Sequence, residues 1–146
     1  FIGAKFVEAA GKMSNAVDSQ NWCHVNFFRH RPEQSGLILV ADSADHNHSR
    51  MTETMQQAVK IGRSCILITD TDGESYGAPE GVTVCTVPGT PEGYGFLSPL
   101  LNYIPGTLLA AYIASLRGET YFRAEDSLQK RSEVGSTIGD SRVEIF

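Results

Sequence analysis

Apolar and polar positions fall into blocks of two kinds along this chain. Three blocks are short, continuous and rich in β-type residues: "LILVADS" at 37–43, "SCILITD" at 64–70 and "GVTVCTVP" at 81–88. An apolar run without alternation is what a strand buried on both faces requires, and such strands favour a parallel sheet. The other blocks have helical character. Residues 1–13 carry Phe1, Ile2, Ala4, Phe6, Val7, Ala9, Ala10 and Met13, with Gly11 weakening the end. Residues 14–17 suit a short strand. "DSQNWCHVNFF" opens with Asp18 and Ser19, both good N-caps, and predicts a second helix over about 20–28. In "SRMTETMQQAVKIG", Met51, Met55, Ala58 and Val59 share one helical face and Gly62 suits a C-cap. Residues 98–117 predict a long helix. Ser98 can cap it, Pro99 suits its first turn, Pro105 should kink it and Gly118 ends it.

Strand, helix, strand, strand, helix with short connections predicts an α/β layered domain around a parallel sheet. Residues 119–146 are charged and weakly patterned, and read as a tail. No internal repeat or low-complexity segment interrupts the pattern.

The 146 residues suffice for one domain with a core, and 41% hydrophobic content is ordinary for a globular protein. A net charge of −5 without any Lys/Arg cluster argues against a nucleic-acid surface. The longest apolar segment, 100–116, is broken by Asn102, Pro105, Gly106 and Ser115, which argues against a membrane span. No signal peptide is visible. Cys23, Cys65 and Cys85 are odd in number, and two lie inside strand-like runs. They read as reduced thiols of a cytoplasmic protein, and the lack of a CxxC pair weakens zinc or redox roles. The sequence opens on Phe1, without Met and inside a predicted helix, as a piece of a larger protein would.

Lys5 and Glu8 lie three apart in "GAKFVEAAGKM" and so share a helix face. They fit a solvated ion pair. They also fit a carboxylate base with a cation beside it, since partial burial raises a carboxylate's pKa and a neighbouring Lys limits the rise. His24 lies beside Trp22 and Cys23 on the short helix, where a lone His is structural, exposed or catalytic. His46 and His48, with Asp42 and Asp45, follow the first long strand in "ADSADHNHSR". The cluster fits a metal set or a plain strand-to-helix turn starting near Asn47 or His48. It occupies the carboxyl end of a parallel strand, where open α/β sheets bind ligands. It lacks the Gly-rich or Ser/Thr-rich character of a phosphate cradle, and neither GxGxxG nor a Walker loop is present.

Taken together, these residues resemble a family. "IPGTLLAAYIASLRG", residues 104–118, is similar to the last helix of the sugar-isomerase (SIS) domain, with its Pro, Leu-Leu-Ala, Tyr, basic residue and Gly in the same order. The family also carries Lys-x-x-Glu on its first helix and a His 16 residues after that Glu, as Lys5, Glu8 and His24 do here. "SQNWCHVNFF" resembles the "EEWxH" helix of some members. The likeness covers residues 1 to about 131. It is to the second SIS domain of double-SIS proteins, such as the isomerase half of glucosamine-6-phosphate synthase and the fructosamine-6-phosphate deglycases.

The resemblance implies a three-layer αβα sandwich, flavodoxin-like, whose five-stranded parallel sheet has its first strand before residue 1. It implies an SIS-type domain over 1–118 followed by a tail over 119–146. It further implies a cytoplasmic phosphosugar isomerase or deglycase, without metal or cofactor, that moves a proton between C1 and C2 of an open-chain sugar phosphate. Glu8 would shuttle the proton beside Lys5. His24 would assist ring opening, reaching in from the neighbouring subunit of a homodimer. Lys130, in "SLQKRS", would line the substrate site. The partner domain would be an N-terminal SIS domain carrying the phosphate-gripping Ser/Thr loop. Gln20 and Asn21 stand where relatives often have acids, and Val25-Asn26 replaces the synthase's Gly-Pro, which leans away from the synthase. The alternatives are a non-catalytic phosphosugar-binding regulatory module and an unrelated flavodoxin-like domain with Lys5 and Glu8 as a surface pair.

Overall fold

The computed structural model describes residues 1–119. Among them lie α1 (Ile2–Ala10), α2 (Ser19–His24), β1 (Leu37–Ala41), α3 (His48–Lys60), β2 (Cys65–Thr69), β3 (Val82–Thr86) and α4 (Ser98–Leu116), in that order. The described residues divide into two compact units, 15–106, and 1–14 with 107–119.

The unit 15–106 is built on a parallel sheet in the order β1-β2-β3, so the α/β expectation holds. Leu37, Cys65 and Val82 stand level across the strands, as do Leu39, Leu67 and Val84. One sheet face packs on α3. Leu39, Ala41, Cys65 and Leu67 meet Met51 and Met55, with Leu37, Val59 and Val82 at the margin and Tyr76 completing the cluster. α3 forms because these apolar residues return at three- and four-residue intervals. It stops as the sequence predicts. Gly62 adopts φ 83, its N–H donates to the Val59 carbonyl at 2.9 Å, and the Arg63 N–H donates to Ala58 at 2.9 Å. That pair of bonds is a Schellman motif, and the positive φ is easiest for glycine.

Burial of all three strands on both faces does not hold. β2 is central and well covered, but Val40 of β1 is 39% exposed and Val84 of β3 is 36% exposed. The cause is position: β1 and β3 are the two edges of the sheet. The β2–β3 connection also supplies only a 3-10 turn, Glu74–Tyr76, where a full crossover helix would cover more surface. The short strand expected at 14–17 is not formed. The helix expected over 20–28 divides into α2 and a 3-10 turn at Asn26–Phe28. Asp18 does cap α2, accepting the Asn21 N–H at 2.8 Å. That bond, with a second from the Asn21 side chain, holds the Asp18 carboxyl below its usual range.

Arg63 ties α2 to the sheet. Its side chain is buried; Nη1 donates to Ser35 Oγ at 2.5 Å and Nη2 to the Asn26 carbonyl at 2.8 Å. The guanidinium lies 5.6 Å from the centroid of the buried Trp22 ring. Burial, and then the Arg29 charge, pull Arg63 down from its usual pKa. The two Nη groups are paired and an aromatic face is near, which offsets part of the cost of burying the cation, while the buried Nε has no hydrogen-bond partner.

Cys65 gives a pH prediction. Its side chain is 2% exposed, and burial pushes the thiol from 9.0 up to about 11. Between those values the unfolded chain loses the proton while the native chain keeps it, so stability falls as pH rises through the window. The loss is on the order of 2–3 kcal/mol. Urea midpoints of the wild type should therefore drop between about pH 8 and about pH 10.5 by more than those of Cys65→Ala. Equal drops in the two proteins would remove the thiol from the account.

The unit 1–14 with 107–119 contains α1 and the second half of α4. α1 ends earlier than predicted, at Ala10, because Gly11 takes φ 58 and the Lys12 N–H closes back on the Phe6 carbonyl at 3.1 Å. Ala10, Ala110 and Ala114 are buried. An apolar groove of about 240 Å³ is lined by Ala9, Ala111, Ala114, Ser115 and Glu119. α4 runs on through Pro105 and ends at Gly118, which has φ 66. By length and composition alone, Gly95–Leu116 is long and apolar enough to cross a membrane.

Candidate functional site

α1 presents Lys5 and Glu8 together. Lys5 Nζ donates to Glu8 Oε2 at 2.5 Å, and the two side chains are 27% and 42% exposed. The Lys5 ammonium also sits 4.9 Å from the centroid of the Phe1 ring. The three-residue spacing explains the pairing, since i and i+3 positions are neighbours on a helix surface. The ammonium beside a partly exposed carboxylate orients it and leaves it accessible. That suits proton transfer, and it also describes an ordinary ion pair worth about 0–1 kcal/mol.

His24 belongs to the other unit. It closes α2, is exposed, and its Nε2 lies 2.7 Å from Gln20 Nε2, one helical turn back. With a donor from the amide, that nitrogen is the acceptor of the pair. Beside α2 lies an open groove of about 530 Å³, lined by Asn15, Ala16, Val17, Asp18, Asn21, Val25 and Asn26. The carboxamides give it hydrogen-bonding walls. Lys130 lies outside the described residues.

The carboxyl ends of the strands form a second polar cluster. Asp70, just past β2, accepts the Ser43 N–H at 2.8 Å and the Ser43 hydroxyl at 2.6 Å, tying the end of β2 to the loop after β1. Asp42 accepts the Ala44 N–H at 2.9 Å and Asp45 the Asn47 N–H at 2.9 Å, which folds "ADSADHNHSR" into a turn. α3 then starts at His48, whose ring stacks on Tyr76 at 4.5 Å between centroids. The Tyr76 hydroxyl is sealed from solvent. Burial pushes its pKa up, the Thr69 hydroxyl opposes the rise, and the charges of Asp70, Asp42 and Asp45 add to it. Among the described residues, no three His, Cys, Asp or Glu side chains converge as a metal set. Asp42 and Asp45 fold the loop on its own backbone, and Ser43 ties it to Asp70 at the end of β2.

Asp70 and Tyr76 were not among the candidates drawn from sequence. Asp70 carried a signal, a carboxylate at the carboxyl end of an apolar strand. Tyr76 carried none, because a lone Tyr in "TDGESYGAPEG" looks like loop surface.

Compared with protein-family models and with curated proteins, the chain matches none.

Proposed function

We propose that this chain is the second sugar-isomerase half of a cytoplasmic phosphosugar isomerase or fructosamine-6-phosphate deglycase. The observation that carries the reading is the Lys5–Glu8 pair, 2.5 Å apart on one face of α1. The parallel α/β architecture is compatible with it. The full five-stranded αβα sandwich needs further strands, and the edges of β1 and β3 are the places for them to pair.

In this reading Glu8 removes the proton from C2 of the open-chain sugar phosphate and returns one to C1, or the reverse. Lys5 holds the Glu8 charge during the exchange. His24 opens the ring, as a group that gives and takes a proton near neutral pH can. It does so from the neighbouring subunit of a homodimer, and Lys130 lines the site. With a fructosamine 6-phosphate, the same proton shift gives an imine at C1. Water adds to that imine and the C–N bond breaks, leaving an aldose 6-phosphate and a free amine. An N-terminal SIS domain supplies the phosphate grip. The second reading, a phosphosugar-binding regulatory module, is favoured by the exposure of the Glu8 side chain, 42%.

The test is NMR in D2O with the protein that carries this chain, given fructosamine 6-phosphates and ketose 6-phosphates. Deuterium entering C1 or C2 without amine release means isomerase. Amine release with an aldose phosphate means deglycase. Line broadening of the sugar phosphate with neither product moves the protein to the binding reading.

A further inference from the structure

Among the described residues, Arg29, His30 and Arg31 form the longest basic run, and all three are exposed. The chain around them is acidic, with 17 Asp and Glu against 12 Lys and Arg. Elsewhere Lys5 pairs with Glu8, Arg50 with Glu53 and Arg117 with Glu119. Among the described residues, no carboxylate forms an ion pair with Arg29, His30 or Arg31. Buried Arg63 holds both ends of the loop that carries the run. Its Nη2 donates to the Asn26 carbonyl at 2.8 Å, and the Arg29 N–H donates to the same oxygen at 3.3 Å. Its Nη1 donates to Ser35 Oγ, and the Ser35 N–H and hydroxyl donate to the Pro32 carbonyl at 3.1 and 3.3 Å. Both of these Arg63 acceptors are neutral, and Nε has no partner. A buried guanidinium without a counter-charge thus stands next to a run of exposed cations. The Arg29 charge reaches it, as the cause that lowers the Arg63 pKa after burial. Arg31 adds a backbone cost. Its φ of 56 and ψ of 61 lie in the left-handed region, which Gly, Asn or Asp takes more readily than arginine. The position favours glycine, and the sequence places a guanidinium there.

We propose that Arg29, His30 and Arg31 bind the phosphoryl group of a small phosphate monoester. Like charges gathered without carboxylates repel one another, and a bound dianion removes that repulsion. Guanidinium forks match phosphate oxygens and hold them by paired, charge-assisted hydrogen bonds. A carboxylate is filled by a single fork. A phosphate monoester has a further terminal oxygen and roughly twice the charge near neutral pH, which suits adjacent arginines. The acidic remainder of the chain disfavours a polynucleotide, which needs cations along a longer track. Phe28, 73% exposed just before the run, offers an apolar surface to the organic part of the ester. The site lies within the unit 15–106. It is separate from the phosphate grip that the proposed function assigns to an N-terminal domain, and it does not depend on Glu8 or His24 being catalytic.

Isothermal titration calorimetry of the 146-residue chain with inorganic phosphate, against sodium chloride of equal ionic strength, tests it. The wild type should bind phosphate with a Kd below about 1 mM. Arg29→Ala and, separately, Arg31→Gly should each weaken binding about 10-fold, the loss expected for one charge-assisted fork. Arg31→Gly is the decisive variant. Glycine accepts the left-handed backbone, so the urea midpoint should stay close to that of the wild type while binding falls. Arg50→Ala removes an arginine already paired with Glu53 and should bind as the wild type does. Arg63 stays in place, because it also ties α2 to the sheet. Wild-type chain that binds no phosphate at about 10 mM overturns the proposal, as does binding that Arg29→Ala and Arg31→Gly both leave unchanged. Binding that Arg50→Ala weakens as much as they do is an effect of net charge and overturns it too. Chain that ignores inorganic phosphate but co-floats with vesicles containing phosphatidic acid, and not with phosphatidylcholine alone, overturns it in favour of a lipid surface.

Discussion

Glu8→Gln should lower turnover of the sugar phosphate by about 10²–10⁴-fold, the usual contribution of a positioned general base. It should barely move stability. The Glu8 side chain is 42% exposed and its only described partner is Lys5, three residues away. Such pairs contribute about 0–1 kcal/mol, and glutamine keeps both the size and an acceptor oxygen. The substitution thus separates chemistry from structure at one position. A large fall in rate with an unchanged urea midpoint is the catalytic signature. Deuterium incorporation at C1 and C2 should fall in step with the rate, because the lost group is the one that exchanges its proton with solvent. Lys5→Met provides the gradation. It removes the cation but leaves the base, so it should cost less than Glu8→Gln. If Glu8→Gln turns over at the wild-type rate, Lys5 and Glu8 are a surface pair and the regulatory reading takes over.

The architecture was legible in the sequence to different depths at different places. β2 and α3 were read closely, since "SCILITD" and the Met51–Met55–Ala58 spacing each have one physical reading. Gly62 ended α3 and Gly118 ended α4 as expected, because a positive φ at a helix end selects glycine. β1 and β3 were placed well, but their burial was not. An apolar run has the same composition whether its strand is central or at an edge, and pairing order decides which. Val40 and Val84 show this, with the same residue type as a buried strand and over a third of the surface open. The Lys5–Glu8 contact follows from spacing alone. The Asp70–Ser43 bond could not be read, because it joins two loops 27 residues apart that meet only once β1 and β2 pair.

Leu67→Ala should be the most destabilising single truncation in the sheet, at about 3–4 kcal/mol. Leu67 is fully buried, on the central strand, and level with Leu39 on one side and Val84 on the other. Its cluster includes Met51, Met55 and Tyr76. Removing three carbons there opens a cavity that the parallel strands resist closing, because each is held by backbone bonds to its neighbour. Met55 can swing part of the way in, which is why the middle of the 2–5 kcal/mol range for such changes is expected rather than its top (about 5 kcal/mol). Val84→Ala is the matched control. It lies level with Leu67 in the register but on an edge strand and 36% exposed, so it should cost about 1 kcal/mol or less. Both should shift the urea midpoint without changing the slope of the transition, as a native-state cavity does. The contrast tests where the stability of this unit resides. If the two variants cost the same, the α3–sheet interface is not the dominant core, and the open faces of β1 and β3 must be covered by a partner that holds the fold together instead.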